Sequence, residues 1–444
     1  MVWQWVGIAA TLSGAEMIRR AWSVAALMMA AGIVHGQTAE FIPVPGTSSI
    51  PGSNENVCIL SGSGGYSGSR VSADGQVVTT LVYPAGPVIG YIPRSVAIWS
   101  QARGTEVITP PIESLYPATG ISADGTTVFG PEWVWTRAQG YRELREELGF
   151  QKQIFGCSDD ARTVTGIDGS YPSPGDMFLW QIDAGDPVLL PRAAQVPTGY
   201  FYFNAISGDG RIAGGSARSI PEDPTTSTDD YAAVVVTPSQ TRLITPVLSQ
   251  AGVTDLNFDG SVAVGYYALQ PSDVRAFRWS EAGGFEQIDG PRGPSDPNYA
   301  RAVSRDGKVV VGEYLIFGLA GTDAFVWREG TGSVKLRDEL IDTFGLEEQL
   351  RGWRLLVATD VSADGQVIVG QGINPSGCEQ GFVVRFSGPV CFADFNADGG
   401  VDGADIESFF LAWADSDPRT DVNQDGGVDG QDIQPFFEQW QNGC

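Results

Sequence analysis

A ten-residue phrase occurs seven times along the chain, and no other feature restricts the fold as much. It reads VSADGQVVTT from Val71, ISADGTTVFG from Ile121, CSDDARTVTG from Cys157, ISGDGRIAGG from Ile206, LNFDGSVAVG from Leu256, VSRDGKVVVG from Val303 and VSADGQVIVG from Val361. The shared aspartates are Asp74, Asp124, Asp160, Asp209, Asp259, Asp306 and Asp364. The six steps from first to last average about 48 residues, a period in the range of β-propeller blades. Each phrase carries an apolar strand into an Asp-Gly turn and out into β-branched residues, the pattern of a hairpin in which Asp-Gly supplies positive φ. The repeated Asp is expected to form the turn, the alternative being a metal or ligand role.

A second phrase follows each first one after a variable loop: VAIWS, EWVWT, MFLWQ, AFRWS and AFVWR, with Trp99, Trp135, Trp180, Trp279 and Trp327. The fourth repeat has YAAVVVTP there instead. Apolar alternation marks these as half-buried strands, and a Gly-rich turn with one more short strand completes four per repeat. The last repeat stops after three, at FVVRFSG, and AEFIPVPG from Ala39 is expected to supply the fourth. The N-terminal strand would then close the ring and remove its exposed edges. Leu336, Leu340 and Phe344 in the longest gap have helical spacing, so a helix is expected before the last blade, with a shorter relative in YRELREELGF. The expected fold is an all-β seven-bladed β-propeller with four-stranded blades over residues 38–387. A linker at 388–390 and a small all-α module at 391–444 follow.

Hydrophobic residues make up 42% and aromatics 10% of the 444, enough for a real core, and the formal charge is −26. An acidic exterior of that size repels phosphate and excludes a nucleic-acid binder. Arg19 and Arg20 precede an apolar run from Ala21 to Val34, and small residues follow near Gly36. That order reads as a signal peptide over 1–37, too short to span a bilayer comfortably, and it implies a secreted or cell-surface protein with no transmembrane segment in the mature chain; the alternative is a membrane anchor that is kept. Residues before Met17 add nothing to the pattern, so Met17 is the expected start. The one histidine, His35, would leave with the signal. The mature chain then has no Ser-His-Asp triad, Cys-His pair or His-bound zinc. Five cysteines suit an oxidising compartment with one left over. Cys391 and Cys444 bracket the C-terminal module and are expected to pair, unless Cys444 is a point of processing or attachment. Cys58 and Cys378 are expected to bridge the ring seam. Cys157 replaces a strand Val, Ile or Leu and is expected to be a buried free thiol.

The C-terminal module is a duplication. DFNADGGVDGAD, 394–405, and DVNQDGGVDGQD, 421–432, match at an offset of 27. Asp394, Asn396, Asp398, Asp402 and Asp405, with the carbonyl of Gly400, place oxygens at loop positions 1, 3, 5, 7, 9 and 12. Asp421, Asn423, Asp425, Gly427, Asp429 and Asp432 repeat them. That spacing, with Gly at position 6, is what a calcium ion requires of a loop, so two Ca2+ are expected. Ile406, Phe409, Phe410 and Trp413 lie on one helical face, and Ile433, Phe436, Phe437 and Trp440 repeat that face. The two units should pack on each other.

The phrase VSADGxVVVG with its following AFRW and GG resembles the HAF-type repeats of bacterial exported proteins, over roughly residues 60–387. That resemblance implies a propeller-like fold and transfers no catalytic residue. Unlike a standard EF-hand, each C-terminal loop ends in Asp, and no helix precedes Asp394. Residues 391–444 resemble a dockerin, specifically the Gly-Cys-terminated variety of planctomycete exported proteins, on CFADFNADG and the closing QNGC. A dockerin implies docking to a cohesin-like or cell-surface partner, selected in part by loop positions 10 and 11. Those are Gly403, Ala404, Gly430 and Gln431, where cellulosomal dockerins often carry Ser-Thr.

Three functions follow as expectations. The first is an exported non-catalytic propeller displayed or anchored through a calcium-dependent dockerin. The second is a carbohydrate-active enzyme, a glycoside hydrolase or lyase working with carboxylates. Glu132, Glu281 and Glu313 are its candidate acids, each read as a solvated loop residue. The third is a surface adhesin that binds glycan or protein through the long loops from Tyr83 and Ala217.

Overall fold

The computed structural model describes residues 38–44, 69–82, 95–108, 118–149, 152–169, 175–192, 200–219, 230–246, 248, 250–270, 273–316 and 321–387 of the main body. Beyond it, residues 395, 403–414, 420, 422, 428, 430 and 432–442 are described. The signal segment 1–37, the linker 388–390 and most of both loop regions from Tyr83 and Ala217 lie outside these.

The main body is a seven-bladed β-propeller of four-stranded antiparallel sheets. The innermost strands are Arg70–Val71, Gly120–Ile121, Lys152–Cys157, Tyr200–Ile206, Gln250–Leu256, Asn298–Val303 and Arg354–Val361. Each touches the innermost strand of the next blade, all the way round. Blades 1 to 6 run outward in chain order, while blade 7 takes Thr38–Pro43 as its outermost strand. That strand pairs antiparallel with Glu379–Ser387, from Thr38 opposite Ser387 to Pro43 opposite Phe382. Phe41 anchors it, with Trp353 and Phe382 at 5.1 and 6.0 Å between ring centres. It covers the edge that Glu379–Ser387 would otherwise expose and becomes the outer edge of blade 7, as the fourth strand does in the other six.

The phrase turns are built alike in all seven blades. The Asp at position 4 accepts the amide of position 6, as from Gln76 to Asp74 at 2.9 Å and from Lys308 to Asp306 at 2.9 Å. The Ser at position 2 donates to the same carboxylate and accepts the amide of position 7, as Ser304 does with Asp306 and Val309. In blade 5 Asn257 takes the place of Ser and accepts from Val262. The loop is longer than the two-residue hairpin expected, and only the residue after Asp takes positive φ. It is Gly in six blades, such as Gly365 at 72°, and Ala161 at 58° in blade 3.

These turns also bind to one another. Ala363 donates to Ala73, Asp74 to Ala123, Ala123 to Asp159, Asp159 to Gly208, Asp209 to Phe258 and Arg305 to Ala363, all through backbone amides. Asn257 closes the remaining seam by donating its side-chain amide to the Arg305 carbonyl. Every seam therefore has a polar clasp at this end of the channel.

The Gly that closes four of the phrases has a steric cause. The innermost strand bulges at 154–156, 253–255, 300–302 and 358–360. A Cβ on Gly166, Gly265, Gly312 or Gly370 would sit 1.9 to 2.1 Å from a carbonyl oxygen of that strand. Phe178, Phe277, Phe325 and Phe382 stand opposite these glycines on the third strands and cover them, fully buried. The five tryptophans sit further along the third strands, also buried. Leu336–Asp342 is the expected helix, burying Leu336 and Leu340 against the last blades; Phe344 lies beyond its end. Arg145–Leu148 is the shorter one.

The two ends of the propeller differ. All phrase turns, and the connections between third and fourth strands, lie at one end. The connections from second to third strand and from blade to blade leave from the other. No helix among the described residues is long and apolar enough to cross a membrane.

Candidate functional site

The residue just before each phrase occupies one equivalent place beside the channel: Arg70, Gly120, Gly156, Ala205, Asp255, Ala302 and Asp360. Four are small and three are charged. Asp360 accepts the amide of Val71 at 3.0 Å, across the seam that closes the ring, and that of Val361 at 2.9 Å. Asp255 accepts Val303 at 2.9 Å across the seam between blades 5 and 6. Both carboxylates thus cap strand amides that a small residue would leave bare. With Arg70, Cys157, Asp159 and Arg305 they line a chamber of about 150 Å³.

Burial pushes Asp255 up to about 7, the nearby charge of Asp360 adds to this, and the Val303 amide and Arg70 oppose it. Asp360 is raised by burial too, against the pull of Arg70. Cys157 is a free thiol, as expected, and burial pushes it up to about 12, which keeps it protonated and unreactive at neutral pH.

The third phrase position forms a ring at the turn-end mouth: Ala73, Ala123, Asp159, Gly208, Phe258, Arg305 and Ala363. Arg305 of blade 6 reaches Asp159 of blade 3 at 3.3 Å, and its guanidinium lies 3.7 Å from the centre of the Phe258 ring. Blades 3 and 6 stand on opposite sides of the channel, so the ion pair spans its mouth. Burial raises Asp159, and Arg305 works against that shift. Sequence reading passed over Arg70, Asp159, Asp255, Arg305 and Asp360. The available signal was their departure from the small residues that most repeats carry at the same two positions.

The three candidate acids fare differently from the expectation. Glu132 is paired with Arg145 and its side chain is 19% exposed, so it is not a solvated loop residue. Glu313 lies in a strand, Val309–Leu315, with its side chain 3% exposed and paired to Arg301. A loop reading fails there because the second strand of blade 6 runs on past the phrase to Leu315, and Arg301 from the paired innermost strand meets the Glu313 side chain. Glu281 alone is exposed, beside Arg242 at 3.2 Å. None of the three lines the channel.

In the C-terminal region, helices Gly403–Ala414 and Ile433–Asn442 pack through duplicated faces. Phe409 and Phe436 are both fully buried and stack with 4.0 Å between ring centres and 9° between planes. Phe410 and Phe437 meet at 6.2 Å. Phe395 and Val422, also 27 apart, join the same core. Asp405 and Asp432, the twelfth loop positions, are both 0% exposed at the helix starts. Gly403 and Gly430 are exposed. Asp394, Asn396, Asp398, Gly400, Asp402, Asp421, Asn423, Asp425, Gly427, Asp429 and the Gln431 and Ala404 side chains lie outside the described residues. Among the described ones no cluster of three or more metal-binding side chains occurs. Cys378 is disulfide-bonded, and Cys58, Cys391 and Cys444 lie outside the described residues.

No protein-family model matches the chain, and no curated protein matches it. Among solved structures it is similar to the β-propeller domain of the Trilobed protease from Pyrococcus furiosus, at 10% identity and TM-score 0.48, over 71% of this chain and 93% of that one. An acylaminoacyl peptidase from Pyrococcus horikoshii aligns at 11% and 0.47, over 71% and 50%. An oligogalacturonate lyase in complex with manganese aligns at 12% and 0.43, over 72% and 90%. Likeness this distant carries nothing about activity.

Proposed function

We propose that this chain is an exported, non-catalytic β-propeller held to a cohesin-like or cell-surface partner by a calcium-dependent docking module. The observation that carries the reading is the extension of the 27-residue duplication into packing. Buried Asp405 and Asp432 head two helices whose Phe409 and Phe436 stack on each other. The donor set fits calcium: Asp394, Asn396, Asp398, the Gly400 carbonyl, Asp402 and Asp405 would hold one ion, and Asp421, Asn423, Asp425, Gly427, Asp429 and Asp432 the other. Bound calcium would supply the positive charge that ties each loop to the start of its helix. Gly403 and Gly430, exposed beside those starts, belong to the surface a partner would read. A Cys391–Cys444 bridge would hold the module's ends, and a Cys58–Cys378 bridge the ring seam.

The enzyme reading finds less support. Glu132 and Glu313 are each tied to an arginine, and Asp255 and Asp360 each receive backbone amides. Calorimetric titration of the full chain with calcium tests the proposal. About two ions per chain are expected, with fewer in Asp405→Asn and Asp432→Asn together. A chain that takes up no calcium overturns it.

A further inference from the structure

The end of the propeller that carries the long connections has a cluster of its own, made by blades 4, 5 and 6. Tyr266 lies in the second strand of blade 5, Val262–Ala268, and Tyr299 in the innermost strand of blade 6. Their rings meet across the seam with centres 5.3 Å apart and planes at 57°. Tyr231, from the third strand of blade 4, is close enough for its phenol to bear on that of Tyr266. Arg301 holds its guanidinium over the Tyr299 ring, 5.4 Å from the centre, and donates to Glu313. Arg301 is the extra residue at the blade 6 bulge, and bulges re-aim side chains in this way.

Two atoms of this cluster have no hydrogen-bond partner: Oε2 of Glu313, whose side chain is 3% exposed, and Nε of Arg301. Orphaned buried polar atoms are rare and costly, so their presence calls for a reason. One is an acceptor and the other a donor. A hydroxyl is both at once; each atom is covered in this structure, so a ligand reaches them by displacing the part-exposed Arg301 side chain.

We propose that this cluster binds a neutral, hydroxyl-rich ligand, namely a carbohydrate chain. Tyr266 and Tyr299 are half-buried, so each offers part of a flat apolar ring with a phenol at its edge. A pyranose has the matching form, with C–H faces and hydroxyls round its rim. Arg301 and Glu313 cancel each other's charge, so an ionic ligand gains little from the pair. The formal charge of −26 repels polyanions besides. The position suits a polymer, because the connection 289–297, which leads into the strand of Tyr299, leaves from this end and can contribute further contacts. This inference does not depend on the calcium reading, since the cluster lies wholly in the propeller.

Affinity electrophoresis of the full chain tests it, with gels containing xyloglucan, glucomannan, xylan or dextran as neutral polymers and polygalacturonate or alginate as acidic ones. Retardation by at least one neutral polymer is expected, weakened about tenfold or more in Tyr299→Ala. Tyr299→Phe keeps the ring in its seam and is expected to weaken retardation about threefold, which decides the matter even if Tyr299→Ala unfolds. Retardation unchanged in Tyr299→Phe and Tyr299→Ala overturns the site. Absence of retardation in all gels, or retardation in the acidic gels alone, overturns the ligand class.

Discussion

The turn end and the connection end of this propeller obey different rules. At the turn end seven loops of one design repeat the same Ser-Asp geometry and clasp each other round the channel. At the connection end the segments between strands differ from blade to blade in length and composition. A structural requirement that is the same in every blade leaves the same residues in every repeat. A surface free of that requirement is where one blade can acquire what its neighbours lack, as Tyr266, Tyr299 and Arg301 illustrate. The channel lies between these regimes: small residues hold the two repeated lining positions in most blades, and every exception but Phe258 carries charge.

If the turn end is the rigid one, the largest effect should come from Gly365→Val. Gly365 has φ of 72°, and a Cβ there would lie 2.8 Å from Cγ2 of Val309 in the neighbouring blade. A β-branched residue faces both a forbidden backbone and a clash, so a loss of more than about 3 kcal/mol is expected in urea unfolding. A loss under about 1 kcal/mol would show that the turns yield as easily as the long connections.

The channel and the turns should respond to pH in opposite directions. The Ser122 hydroxyl, with help from Thr126, holds Asp124 below the usual carboxylate value against the opposing effect of burial. A lowered value means stability that is present above about pH 4 and lost as pH falls further. Asp255 is raised to about 7. Its contribution is present below about pH 4 and lost as pH rises toward 7, where the folded state must carry a charge beside Asp360. Asp360, Arg70, Asp159, Arg305 and Cys157 face the same chamber, and the two arginines limit the effect without reversing it. Asp255→Asn keeps an acceptor for the Val303 amide and cannot ionise. Unfolding midpoints at about pH 5 and about pH 8 should therefore differ less in Asp255→Asn than in the parent. An unchanged difference would place the pH dependence elsewhere.

Much of this contrast was legible before any coordinates. Repetition multiplied the signal for the phrase turns, the Trp-bearing strands and the closing strand Thr38–Pro43. The helix at Leu336 stood out because its apolar spacing breaks the period of two. The channel charges were harder to see. Arg70, Asp255 and Asp360 sit one residue ahead of the phrase, at positions that matter only when innermost strands from separate blades face each other. Glu313 was misread for a related reason: the phrase ends at Gly312, but its strand runs on to Leu315, and the ion-pair partner Arg301 comes from a different strand.

A smaller effect is expected from Asp364→Ala. The carboxylate receives the Ser362 hydroxyl and the Gln366 amide at 2.9 Å. Its loss leaves the Gln366 amide to water and frees Ser362 to turn, so about 1–2 kcal/mol should go, as for a lost helix cap. The six other turns and their clasps hold the ring meanwhile, so unfolding should stay a single transition. Two separate transitions would mean that the clasps do not act as one ring.

The smallest effect runs the other way and bears on why the turns are uniform at all. Blade 3 has Ala161 where the other six have Gly, and Ala161 adopts φ of 58°. Its amide still donates to the Ser158 carbonyl at 2.9 Å, and Asp160 still accepts from Ser158 and Arg162. The turn therefore forms in full with one residue in a left-handed conformation that L side chains resist by roughly 1 kcal/mol. Ala161→Gly relieves that strain but gives the unfolded chain more freedom, which returns part of the gain. A net stabilisation of about 0.5 kcal/mol is expected, read as a small rise in the urea midpoint at constant slope. A destabilisation would mean that the methyl group, which packs against the Ile154 and Trp180 cluster, contributes more than the strain removes. Glycine at the other six turns would then be set by the 2.4–2.9 Å approach of the neighbouring blade, as at Gly125 and Gly210, and not by φ alone.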